Sequence, residues 1–356
     1  MKIVSIDVSN FLHFADATIH FTYPDEHPLK AGQPLDKVCF IGQSGTGKTT
    51  LLNEIVGFAS PKSNTSRVKA IDLHDSTYYL DTIEHIKTVE NNSLLEAFQA
   101  SNVSFDNKLL FFATELLANE THVFQAAKNQ ATTQNGQIVQ NSQVQKQIQQ
   151  QKEQKKRQFE AFLKQNVIRV EGKMVWDYVF EEISHYDELL STQGKLFVQK
   201  ATNANIETVL KELADWKSKN INPRKALADN CLNPLLRFFQ LEVDVDNTDV
   251  PIAVKNIKGG TVPANALSTG TKQIILTALP LYKLQTPNSV VLFDEPERSL
   301  FPDLQQIIVD YYTSLAPNSQ FFFATHSPFV AAAFEPYERF ILYFDEEGKV
   351  RCKSGV

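Results

Sequence analysis

The sequence predicts an α/β fold: a mixed sheet flanked by helices, built around a phosphate-binding loop and carrying an α-helical insertion. Three observations lead there. The apolar run Val38-Cys39-Phe40-Ile41 feeds the loop Gly42-Gln43-Ser44-Gly45-Thr46-Gly47-Lys48-Thr49, and Thr50-Leu51-Leu52-Asn53-Glu54-Ile55-Val56 follows with helical character. Two more apolar runs, Val290-Val291-Leu292-Phe293 and Phe321-Phe322-Phe323-Ala324, read as buried strands that end in polar residues. Between residues 119 and 236 the apolar spacing is helical.

The loop composition points to a nucleoside triphosphate. Gly42, Gly45 and Gly47 allow positive φ and a close backbone approach to phosphates. The loop also opens a helix, whose unpaired N–H groups and dipole favour an anion. Lys48 would reach the β- and γ-phosphates, and the Thr49 hydroxyl would bind Mg²⁺. Gln43, Ser44, Thr46 and Thr50 complete the expected cradle. The competing reading is an exposed glycine turn, which the strand before and the helix after disfavour.

Composition narrows the class. At 356 residues and 42% hydrophobic content there is ample material for a core. A net charge of −6 argues against coating nucleic acid by bulk charge, so any DNA contact would have to be local. No apolar run approaches the ~20 residues of a membrane span, and a cytoplasmic protein without a membrane partner is expected. Cys39, Cys231 and Cys352 are too scattered for a disulfide framework or a zinc clamp.

In chain order, residues 2–8 and 17–23 alternate as two antiparallel strands, and the proline-rich stretch 24–37 forms a loop before the strand that feeds the glycines. Val68, Ile71 and Leu73, and then Tyr78-Tyr79-Leu80, look like short strands. Leu109-Leu110-Phe111-Phe112-Ala113 is a further buried strand. Residues 128–158 are dominated by Gln and form either an exposed helical arm or a partly mobile segment. The expected organisation is a first lobe over 1–118, a helical insertion over 119–236 and a second lobe over 237–356.

Polar residues end the later strands where parallel sheets bind ligands. Asp294 would hold Mg²⁺ and Glu295 would act as general base on the attacking water. His326 could bond the γ-phosphate or that water; alternatively it only satisfies a loop. Ser268 and Gly270, in Ala266-Leu267-Ser268-Thr269-Gly270-Thr271-Lys272-Gln273, precede another helix and offer a second cradle, or Ser268 is an ordinary N-cap.

As an ordered set these motifs resemble the ABC-type ATPase heads of the SMC and RecF-like group, a P-loop NTPase fold. The stretch Glu295-Pro296-Glu297-Arg298-Ser299-Leu300-Phe301-Pro302 looks closest to its stand-alone bacterial AAA-family ATP-binding branch. The resemblance covers residues 1–118 and 240–356 and implies ATP and Mg²⁺ as ligands, with Leu267-Ser268-Thr269-Gly270 as the signature motif and His326 as the switch histidine. It further implies a head-to-tail homodimer or higher homo-oligomer, each head closing the other's ATP with Ser268 and Gly270. By the same resemblance the partner is a separate effector, a nuclease or toxin, in anti-phage defence. The alternative is DNA repair or chromosome maintenance, with double-stranded DNA gripped by Lys152, Lys155, Lys156, Arg157 and Lys164. Three departures stand out: Thr269 and Thr271 replace the commoner signature residues, Asn10-Phe11-Leu12 lacks an Arg, and no glutamine can be placed between the insertion and Mg²⁺.

Overall fold

The computed structural model describes residues 2–58, 68–71, 108–114, 120–125, 142–171, 173–202, 206–285 and 288–355. Contact density divides the chain into two units, one of Met1–Glu115, Gln165–Val170 and Leu284–Val356, the other of Leu116–Lys164 and Glu171–Lys283.

The first unit holds two sheets. Strands β1 (Lys2–Asp7), β2 (Thr18–His20) and β4 (Val68–Ile71) form an antiparallel sheet in the order β2-β1-β4. The larger sheet takes β3 (Lys37–Gly42), β5 (Leu109–Phe112), β6 (Val167–Arg169), β10 (Val290–Asp294), β11 (Gln320–Thr325), β12 (Arg339–Phe344) and β13 (Val350–Ser354). Its order is β13-β12-β3-β11-β10-β5-β6, all parallel except β13. Every residue of β10 and β11 is buried, which is why these strands read as unbroken apolar runs rather than alternating ones.

Successive side chains leave a strand on opposite faces, so the phenylalanines divide between two cores. On one face Phe21 meets Phe322 and Phe340 edge-on, each at 5.2 Å, beside Phe40. On the other, Phe293 stacks on Phe112 at 4.6 Å and on Tyr312 at 4.7 Å. The helix Lys48–Phe58 buries Leu51, Leu52, Ile55 and Val56 in the first of these cores. Gln320, wholly buried, joins the two sheets: its amide bonds both the N–H and the C=O of Ile3 and the C=O of Leu35, at 2.7 to 2.9 Å.

The second unit is mostly helical, with helices Ser142–Leu163, Lys173–Val179, Glu181–Ala201, Ile206–Lys219 and Thr269–Leu284, and an antiparallel sheet of β7 (Leu241–Val243), β8 (Val254–Asn256) and β9 (Thr261–Val262). Arg224, 1% exposed, pins it internally with a two-pronged contact to Asp187 at 2.6 and 2.7 Å.

The span read as helical departs from expectation at β6, where Val167-Ile168-Arg169 extends the main sheet beside β5. The adjacent β-branched residues Val167 and Ile168 suit a strand. The described part of the Gln-rich stretch is helix, Ser142–Leu163; residues 126–141 and Tyr78-Tyr79-Leu80 lie outside the described residues. No described helix is long and apolar enough to cross a membrane.

Candidate nucleotide site

The site lies at the carboxyl ends of β3, β10 and β11, where parallel strands leave a crevice. The loop after β3 turns at Gly45 and Gly47, each with φ +83°. At Gly47 the requirement is double, since a Cβ would also stand 2.6 Å from the Phe14 ring. Thr46, fully buried, fastens the loop by donating its hydroxyl to Gln43 O at 2.8 Å, whereas Gln43, Ser44 and Gly45 are exposed. The helix Lys48–Phe58 has no acidic residue in its own first turn, so its dipole favours an anion there. Thr50 lies in that same turn.

Lys48 Nζ curls back on the loop and donates to the carbonyls of Gly42 and Gln43, both at 2.9 Å. Burial holds its pKa below the ordinary lysine value, against the pull of Glu295, Asp294 and Glu297. Opposite, Asp294 ends β10 with its carboxylate buried, accepting from the Thr49 hydroxyl at 3.0 Å. Burial raises the Asp294 pKa, hydroxyl bonds from Thr49 and Thr114 and the charge of Lys48 oppose it, and the charge of Glu295 adds to it.

Glu295 follows at φ +50°, a left-handed conformation that turns the chain out of β10. Its Oε1 lies 3.2 Å from His326 Nε2, while His326 Nδ1 lies 3.4 Å from Lys48 Nζ. That arrangement fits an imidazole with its proton on Nε2, donating to Glu295 and accepting from Lys48. Lys48, Thr49, Asp294, Glu295 and His326 thus converge, although the sequence separates the first from the last by 278 positions.

Ser268 and Gly270 belong to the second unit. There Ser268 Oγ accepts from Thr271 N at 3.1 Å, the N-cap contact of the helix Thr269–Leu284, so Gly270 sits inside the first turn rather than before it.

Two residues escaped the sequence reading. Thr114, two positions past β5, donates to Asp294 Oδ2 at 3.0 Å, beside Thr49. Glu297, buried, accepts from Thr325 Oγ1 and from His326 N. The only sequence signal for Thr114 was a hydroxyl residue closing an apolar run. A cavity of about 500 Å³ opens at the opposite edge of the sheet, among Lys2, Tyr23, Lys30, Asp36 and Lys37. Its lysines are already engaged, Lys2 and Lys30 by Asp36 and Lys37 by Ala333 O, which leaves the crevice above the glycines as the candidate site.

The family model of the AAA ATPase domain matches residues 81–331, more than half of the chain. The chain belongs to the AAA ATPase domain family. The matched span includes Asp294, Glu295 and His326 and begins after the glycine loop, which this AAA ATPase supplies in addition. Among solved structures it is similar to the SMC head domain from Thermotoga maritima, at 10% identity and TM-score 0.45 over 99% of each chain. It is also similar to the Smc head domain from Pyrococcus furiosus, crystallised with an extended coiled coil and bound to the C-terminal domain of ScpA. That match has 12% identity and TM-score 0.42, over 99% of this chain and 96% of that one. No curated protein sequence matches this AAA ATPase. The fold assignment rests on its own sheet order and loop.

Proposed function

We propose that this ATPase binds ATP on the loop Gly42 to Thr49 and hydrolyses it between two copies of the chain. The observation that carries the reading is the convergence of Lys48, Thr49, Asp294, Glu295 and His326 at one sheet edge. Lys48 releases the loop carbonyls to bind the β- and γ-phosphates. Glu295 takes the proton of the attacking water, and His326, bonded to Glu295, moves with the γ-phosphate.

The donors fit Mg²⁺. Among the described residues no cluster of three His, Cys, Asp or Glu could hold a metal unaided. Thr49 and Asp294 offer hard oxygens that suit an ion completed by phosphates and water. Bound there, Mg²⁺ would neutralise charge on the β- and γ-phosphates.

By resemblance to SMC-type heads, Ser268 and Gly270 of one copy close the ATP of the other; by resemblance to the stand-alone bacterial AAA-family branch, the closed pair controls a separate effector, a nuclease or toxin, in anti-phage defence. ATP turnover by the purified chain, with Lys48→Ala as background, tests the ATPase reading. Glu295→Gln should bind ATP without hydrolysing it and double in mass on adding ATP; an unchanged mass would sink the paired mechanism.

A second reading, direct DNA engagement in repair or chromosome maintenance, draws on Lys155, Lys156, Arg157 and Lys164, all exposed on or just past the helix Ser142–Leu163. Lys152 lies on the same helix. Against it, Lys155 sits over the Phe159 ring at 5.3 Å and Arg157 pairs with Glu153 at 3.9 Å, as in an ordinary solvated helix face. Linear double-stranded DNA should leave turnover unchanged under the effector reading and stimulate it under the DNA reading. Reversing these charges abolishes that stimulation only under the second.

A further inference from the structure

Glu297 takes no part in the chemistry proposed above, yet the residue is buried, 8% exposed. Oε1 accepts two hydrogen bonds, from Thr325 Oγ1 at 2.5 Å and from His326 N at 3.0 Å. Oε2 is enclosed by protein and has no hydrogen-bond partner among the described residues. Burying a carboxylate with half its acceptor capacity unused costs free energy, so the contacts made by Oε1 need a reason.

Starting the next helix is not that reason. Ser327 already caps Pro328–Ala331, accepting from Phe329 N at 3.1 Å and Val330 N at 3.3 Å, and is itself held by Gln305 at 2.6 Å. What Glu297 fixes is the peptide between Thr325 and His326, which sets the direction in which the His326 side chain departs. The turn after β10 therefore grips His326 twice: Glu295 touches the ring and Glu297 the backbone.

We propose that Glu297 is a positioning residue that ties the end of β10 to the His326 peptide and so holds the imidazole between Glu295 and Lys48. The inference rests on the ATPase reading of the site. Two effects of Glu297 must be separated, since its charge also acts on Lys48. A glutamine keeps an acceptor oxygen for Thr325 and His326 while removing the charge. Alanine removes both, and methionine removes both while filling the volume.

The test is steady-state ATP turnover by the full chain, with circular dichroism to confirm folding. Glu297→Ala should lower kcat by about tenfold or more with KM within about threefold, because the loss falls on the transition state. Glu297→Met gives the same result and carries the test should the alanine variant not fold. Glu297→Gln stays within about threefold of wild type. In a His326→Ala background, Glu297→Ala adds less than about twofold, since both changes remove one interaction. The proposal is overturned by wild-type kcat in a folded alanine or methionine variant, by a glutamine variant as slow as alanine, by full additivity with His326→Ala, or by a His326→Ala enzyme as fast as wild type. Wild-type turnover no greater than that of Lys48→Ala would instead overturn the ATPase reading itself.

Discussion

Gly47 shows how narrowly single positions are constrained. Its φ of +83° is strained for any side chain, and the Phe14 ring occupies the space a Cβ would need. Gly47→Ala should therefore weaken ATP binding by about tenfold, measured by titrating a fluorescent ATP analogue. Removing the ring as well, in Gly47→Ala/Phe14→Ala, should recover part of that loss and no more, because the dihedral strain remains; full recovery would show that only the clash mattered. The glycine was legible in the sequence because loop spacing is local. Phe14 was not, lying 33 positions earlier and meeting the loop only in the folded chain. Thr114 and Glu297 escaped for the same reason. One reads as a loop hydroxyl and the other as a further surface acid until the parallel register of β5, β10 and β11 brings them to Asp294 and His326.

Strands announce themselves when both faces are buried. β3, β5, β10 and β11 were all visible as apolar runs, since a central parallel strand has no solvent face to interrupt it. β6 was not, because three residues with Arg169 exposed carry too little pattern to stand out from the helices around them. The order of strands was equally hidden, as it depends on distant pairings such as Phe321 with Lys37. So was the link between the sheets, where the Gln320 amide reaches Ile3 across 317 positions. That amide satisfies three buried backbone groups on two other segments. Gln320→Met keeps the volume but leaves them unpaired, and each lost partner costs roughly 1–3 kcal/mol. A fall in unfolding free energy of about 3 kcal/mol or more in urea is expected; a change below about 1 kcal/mol would mean that the Gln320 amide does not hold the two sheets together.

At the scale of the whole molecule, the proposed pairing of two copies makes a prediction about stability. A ligand that binds only the folded state raises unfolding free energy by RT ln(1 + [L]/Kd), about 2.7 kcal/mol at a hundredfold excess over Kd. For Glu295→Gln, ATP should raise the melting temperature, and if two chains close on the nucleotide that rise must grow with protein concentration. Ser268 separates the two contributions. It caps the helix Thr269–Leu284, a task aspartate performs as well, so Ser268→Asp should preserve the second unit while placing a negative charge where the partner's γ-phosphate would sit. In the Glu295→Gln background, Ser268→Asp should keep the ATP-dependent rise seen at low protein concentration and lose its dependence on concentration. If the concentration dependence survives, Ser268 does not face the partner's nucleotide and the copies associate through another surface. If the rise at low concentration disappears as well, Ser268 serves the ATP of its own chain, and the second cradle is not shared between copies.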